Sequence, residues 1–131
     1  MIFVDTGAWF ASVVAWDANH AAAAAWLSSN HERLVSTDYV LDETLTLLRA
    51  RNDNDSALAF GYEFFQGDLA DLIKIDDTDV SKAWDIFRKF SDKDWSFTDC
   101  TSKVIMERLG VTTAFAFDQH FRQFGTVQVV P

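Results

Sequence analysis

Apolar residues in this chain follow two rhythms, short runs and longer stripes at helical spacing, and the two alternate from end to end. The opening "IFVD" is an apolar run that ends at Asp5 with Gly7 close behind, as a buried strand would. Helical pieces are expected over 8–16 and 18–30, split at Asp17, which can cap the second; five consecutive alanines favour helix there by propensity. "RLVS" (33–36) reads as a second strand. After a Thr/Asp start, Val40, Leu41, Thr44, Leu45, Leu47 and Leu48 recur at helical spacing through 37–51. Another helix is predicted from Ser56 to Phe65, then a third strand, "DLIKI" (71–75). Across 76–90, Val80, Ala83, Trp84 and Phe87 fall at i, i+3, i+4 and i+7, which predicts one buried stripe. Phe97, Cys100, Val104, Ile105 and Leu109 repeat that stripe, and Gly110 stands where a helix commonly ends. "TTAFAFD" (112–118) and "VQVV" (127–130) complete five strands. Such alternation predicts an α/β fold, one domain over 1–131, with a mostly parallel five-stranded sheet flanked by helices on both faces.

Composition narrows the class. With 131 residues, 49% of them hydrophobic and including 12 Phe and 5 Trp, the chain has ample material for a core. The single cysteine, Cys100, has no partner in the chain, which suits a reducing compartment. No signal-peptide pattern and no run of ~18 apolar residues is found, so the expected location is the cytoplasm, away from membranes. The balance of 20 acidic against 11 basic residues, net −9, is unlike the basic face of a protein that holds nucleic acid by phosphate neutralisation alone. Either the acids solvate the surface, or some of them converge where a divalent cation restores the balance.

Ligands of open parallel sheets sit at the carboxyl ends of the strands. Two predicted strands end in an acid there, Asp5 and Asp118. Asp99 lies at a helix start, and Glu43 lies beside the apolar stripe of its helix. Each has an ordinary reading as well: a turn for Asp5, a solvated flank for Glu43, a helix cap for Asp99 and for Asp118. If the sheet gathers them, carboxylates within ~4–6 Å raise one another's pKa values, and a hard oxygen-seeking cation, Mg²⁺ or Mn²⁺, is the natural offset.

The stretches "FVDTGAW", "LDETLTLLR", "DWSFTDC" and "AFAFDQHF" occur in this order over essentially the whole chain. Together they resemble the PIN-domain family, and within it the VapC-type toxin ribonucleases. The resemblance implies Asp5, Glu43, Asp99 and Asp118 as the metal-binding and catalytic acids, with Thr6 and Thr98 as hydroxyls supporting the metal shell. Asp94 falls where many relatives carry an acid. The family implies a metal-dependent endoribonuclease, an RNA substrate, a homodimer, and an antitoxin that covers the acidic site. Trp95 departs from the pattern by its bulk, which bears on the shape of the local loop. On this reading metal held by Asp5, Asp99 and Asp118 activates a water, Glu43 ligates it or orients that water, and cleavage leaves a 5′-phosphate and a 3′-hydroxyl. Arg49, Arg51, Lys93, Lys103 and Arg122 stand near these motifs and are candidates to steer phosphates, each with an alternative as plain surface charge.

Other signals carry less. "NDND" (52–55) lacks the glycine and the final glutamate of a calcium loop, and "DDTD" (76–79) suits a helix N-terminus. His20, His31 and His120 show no zinc spacing; His120 could approach a phosphate beside Asp118, but its more ordinary reading is a solvated histidine at a helix end. Cys100 falls on an apolar stripe as a core residue. Trp9 and Phe10, just after the first strand, are candidates for a dimer or antitoxin surface. Two other functions remain in view: a catalytically silent module whose acidic cleft binds a basic peptide, and a receiver-like Mg²⁺-binding signalling domain.

Overall fold

The computed structural model describes every residue from Met1 to Pro131. Five strands, β1 (Ile2–Val4), β2 (Leu34–Thr37), β3 (Asp71–Ile73), β4 (Thr113–Phe115) and β5 (Gln128–Val130), form one sheet in the order β3-β2-β1-β4-β5. Every pairing is parallel. In β1, Phe3 lies opposite Val35 on one side and Ala114 on the other, so the first strand is the centre of the sheet and is wholly buried.

Six α-helices make the crossovers: α1 (Thr6–Val13), α2 (His20–Ser29), α3 (Asp38–Ala50), α4 (Asn54–Gln66), α5 (Asp77–Lys89) and α6 (Phe97–Leu109). A short 3-10 helix over Gln119–Phe124 joins β4 to β5. Right-handed crossovers put the helices between β1 and β3 on one face. The connection from β3 back across the sheet to β4, carrying α5 and α6, covers the other. The direction of winding reverses between β1 and β4, which is where ligands of such sheets bind. A receiver-type domain has the order 2-1-3-4-5, so this order rules out the receiver-like reading. No helix is long and apolar enough to cross a membrane.

Local chemistry sets the boundaries. Thr37 caps α3 by accepting from the Val40 N–H, Asp53 caps α4, and both α5 and α6 start with reciprocal capping boxes. Gly110 ends α6 at φ +67, a left-handed backbone that a side chain would strain. Asp17 does not cap α2; it accepts from the Asn19 N–H in the turn before it, and Asn19 holds the cap position. β4 ends at Phe115, three residues short of Asp118, which instead caps the 3-10 helix through the His120 N–H.

The core joins both faces of the sheet: Phe3, Phe115, Phe121, Leu48 and Ile105 are among its largest fully buried side chains. Two expectations change here. Trp9 and Phe10 are core residues: Trp9 packs on Phe60 and Phe64 of α4 and donates its indole N–H to Ser36 Oγ. Trp84 and Phe87 belong to the surface, 53% and 41% exposed, and stack on each other 6.2 Å apart. The inward face of α5 is turned to Asp79 and Ala83, because buried Asp79 both completes the capping box and takes an ion pair from Arg108 of α6 at 2.9 Å. That polar anchor fixes the helix's rotation against the apolar stripe.

Stability measurements check this assignment. Phe121→Ala, in the core, is expected to cost about 3–5 kcal/mol, whereas Trp84→Ala should cost less than about 1 kcal/mol. Comparable losses in chemical denaturation would return Trp84 to the core.

Candidate active site

Asp5 follows β1 at the point where the winding of the sheet reverses between β1 and β4. β1 ends at Val4 and α1 begins at Thr6, so Asp5 occupies the cap position of α1. Its carbonyl accepts from the Ala8 and Trp9 N–H groups, yet its side chain makes no capping bond. The residue is 5% exposed. The sequence made a turn the ordinary role of this aspartate; instead the backbone passes straight from strand to helix, and the carboxylate is left over.

Asp99 enters from α6. It is not the cap residue: Ser96 is, accepting from the Asp99 N–H at 3.0 Å, while Asp99 Oδ2 accepts from the Ser96 N–H at 3.0 Å. This capping box holds the carboxylate at the positive end of α6, where its charge is favoured. Asp118, on the chain leaving β4, accepts from the His120 N–H at 2.9 Å and keeps its side chain 44% exposed. Glu43 projects from the first half of α3, half-buried and without an ionic partner. With Asp42, Thr46, Leu47, Ala50 and Thr98 it lines a cleft of about 340 Å³.

Asp5 feels the other three acids. Burial is the main force pushing the Asp5 carboxyl up, to about 8, and the negative charges of Asp99, Glu43 and Asp118 push the same way against the relief given by the Thr6 N–H. Beside Asp5, the Thr6 hydroxyl is buried with no hydrogen-bond partner. Such an orphan is uncommon in a folded protein. No three His, Cys, Asp or Glu side chains are arranged as a metal cage. For Mg²⁺ or Mn²⁺ that is no obstacle, since Mg²⁺ is commonly held by one or two carboxylates and keeps several waters. An all-oxygen donor set with excess negative charge, a carboxyl strained toward protonation and an unused buried hydroxyl fits such a cation.

The supporting residues divide. Thr98 lines the cleft with Glu43, and Thr6 adjoins Asp5. Asp94 is exposed, makes no hydrogen bond and does not act on Asp5. Among the basic candidates, Lys103 pairs with Glu107 and lies over the Phe124 ring, and Arg49 donates to Asn54 and lines the apolar groove that adjoins the Glu43 cleft. Arg51 and Arg122 are exposed, Lys93 is half-buried, and none of the three forms an ion pair. Cys100 is buried; burial, then the Asp99 charge, raises its thiol to about 11, so it stays protonated as core residues do.

His120 departs from its ordinary reading as a solvated histidine. Its ring is no solvated helix end: Nδ1 lies 2.9 Å from Asp99 Oδ2 and 3.3 Å from Asp118 Oδ1. The only sequence signal was its place two residues after Asp118, which does not reveal that α6 brings a second carboxylate to the same ring. Trp95, the bulky departure, is buried and donates to Gln123 Oε1 at 2.9 Å, tying the loop before α6 to the 3-10 helix.

The model of the PIN domain family matches residues 2–127. The 23S rRNA-specific endonuclease VapC20 of Mycobacterium tuberculosis is 32% identical over 134 residues, spanning 100% of this chain and 99% of its own. A VapC ribonuclease of Archaeoglobus fulgidus is 30% identical over 123 residues, spanning 90% and 77%. The crystal structure of the M. tuberculosis VapC20, a sarcin-ricin loop cleaving toxin, superposes over the whole of both chains with TM-score 0.93 at 30% identity. FitAcB from Neisseria gonorrhoeae matches over 100% and 97% of the chains with TM-score 0.72 at 15% identity, a likeness of fold.

The Asp5 environment has a pH signature. A carboxyl raised from 3.8 to about 8 binds its proton more tightly in the folded state, so its contribution to stability is complete below the unfolded pKa and is lost as pH rises through 8. In metal-free buffer, Asp5→Asn should match the wild type near pH 4 and exceed it by a few kcal/mol above pH 8. A stability difference that is flat with pH would show an ordinary aspartate.

Proposed function

Because the chain belongs to the PIN-domain family and is an endoribonuclease of the VapC toxin kind, we propose that it hydrolyses RNA at the Asp5 site with a divalent cation, Mg²⁺ or Mn²⁺. Asp5, Asp99 and Asp118 would hold the cation, and Glu43 would ligate it or orient the attacking water. The observation that carries this is the buried Asp5 carboxyl, pushed up to about 8 by burial and by the other three acids. When bound, the cation supplies Lewis-acid polarisation of the scissile phosphodiester and makes a water more acidic.

The chain's own residues do the rest. Asp5 contributes a carboxylate at a depth where bulk water competes poorly for it. Asp99, steered by Ser96, presents its charge from the N-terminus of α6. Glu43 faces its cleft free of ionic partners, available to align a water for in-line attack that leaves a 5′-phosphate and a 3′-hydroxyl. Thr6 and Thr98 offer hydroxyls to the waters of such a site. A cation also reverses the local sign of the field, which is how a chain of net −9 can receive a polyanion.

The substrate favoured by likeness is 23S rRNA at its sarcin–ricin loop, the target in the names of the relative and of the matching crystal structure. An antitoxin partner, a homodimer and a cytoplasmic setting belong to the same reading. A surface suited to the antitoxin is the groove of about 700 Å³ between α3 and α4, lined by Leu45, Leu58, Tyr62 and Phe65. Its lining shares Thr46 and Ala50 with the Glu43 cleft, so a segment laid there would reach the acids.

Cleavage of a sarcin–ricin loop RNA in Mn²⁺ tests this directly. Asp5→Asn and Asp99→Asn should each lower the rate by at least about 10³-fold while retaining the wild-type circular dichroism, and chelation should abolish wild-type cleavage. Activity retained in either variant would remove that residue from the mechanism. Full activity in chelator would remove the metal.

A further inference from the structure

We infer that His120 is a positioning residue that holds Asp99 and Asp118 as a pair. The inference rests on the metal-dependent reading of the site given above and extends it to a residue outside the four acids.

Every polar contact of the His120 ring is to a carboxylate: Nδ1 to Asp99 Oδ2 at 2.9 Å and to Asp118 Oδ1 at 3.3 Å. The His120 backbone N–H also donates to Asp118 Oδ1, at 2.9 Å. One residue therefore touches both acids, one from α6 and one from the chain leaving β4. Asp99 Oδ2 already accepts from the Ser96 N–H; with an ionised carboxylate, which only accepts, the ring donates to it from Nδ1. Both bonds to Asp99 fall on Oδ2, which fixes the rotation of the carboxylate and leaves Oδ1 for an added ligand. Partners of this kind, one step removed from a metal, orient its ligands and are typically worth 10–100-fold in affinity or activity.

A purely structural role fits less well. The 3-10 helix is anchored without the ring: Phe121 is fully buried, stacks on Phe3 with ring centres 6.0 Å apart and meets Phe124 at 4.8 Å. Trp95 packs on Phe124 at 5.1 Å and donates to Gln123. The imidazole, one-fifth exposed, is thus held in place by its neighbours and spends its polar contacts on the acids.

Two readouts test it. The first needs no metal: nitrogen–proton NMR of the imidazole in the metal-free full chain should show a hydrogen on Nδ1, with a resonance that shifts in Asp99→Asn. The second is Mn²⁺ binding by calorimetry together with RNA cleavage. His120→Ala should weaken Mn²⁺ affinity about 10–100-fold with unchanged circular dichroism, and His120→Asn, whose amide N–H₂ can replace the Nδ1 donor, should recover most of the loss. An Nδ1 without hydrogen, a His120→Ala variant indistinguishable from wild type, or equal losses in the Ala and Asn variants would overturn the proposal. If the wild type neither binds Mn²⁺ nor cuts RNA, the proposed function fails, and the tautomer alone then decides whether His120 bridges the acids.

Discussion

The structure turns on one unfavourable arrangement: a carboxylate at the buried carboxyl end of the central strand, within reach of three others. Burying Asp5 removes it from water, and Asp99, Glu43 and Asp118 add like charge, so its carboxyl is held near neutrality at pH 7. Nothing in the sheet requires an acid at this position. β1 ends and α1 begins without the Asp5 side chain, which makes no capping bond. A group that costs stability and makes no capping bond in the helix it precedes is what a functional site looks like in physical terms.

The fold concentrates this cost in one place. The strand order β3-β2-β1-β4-β5 reverses direction at β1/β4, the point where ligands of such sheets bind. Asp5 and Asp118 follow the two strands that border it, while α6 runs back toward β4 and so delivers its N-terminal end to the same edge. The capping box of Ser96 and Asp99 satisfies the helix start and aims the carboxylate in one arrangement, so the ordinary role and the functional one are not alternatives. The surrounding aromatics, Phe3, Phe121, Phe124 and Trp95, hold the 3-10 helix against the sheet, and with it His120. Precision at the acids is inherited from that packing.

Much of this was legible in the sequence because the signals were local. Apolar runs closing on Asp5, a Thr/Asp start for α3, and Gly110 after a stripe all report on neighbouring residues, and the elements lie where those signals put them. What failed depended on contacts between distant segments. The stripe through Trp84 and Phe87 has perfect helical spacing, but the rotation of α5 is set by the Asp79–Arg108 pair, 29 residues apart in sequence. Trp9 lies in a short helix, and its burial rests on Phe60 and Phe64 of α4, about fifty residues away. His120 gives no sign in sequence that its ring will meet Asp99, 21 residues earlier. The four acids could be nominated from strand ends and family likeness, but their mutual effect on Asp5 appears only when the chain is folded.

The central claim is that Asp5 is crowded by charge in a way that a divalent cation relieves. Carbonyl ¹³C NMR of the Asp5 carboxyl, titrated with and without Mg²⁺, measures this most directly. The account predicts a midpoint near 8 in the metal-free protein and a fall of several pH units when Mg²⁺ is present. A midpoint close to 3.8 without metal, or a raised one that Mg²⁺ leaves unmoved, would contradict it.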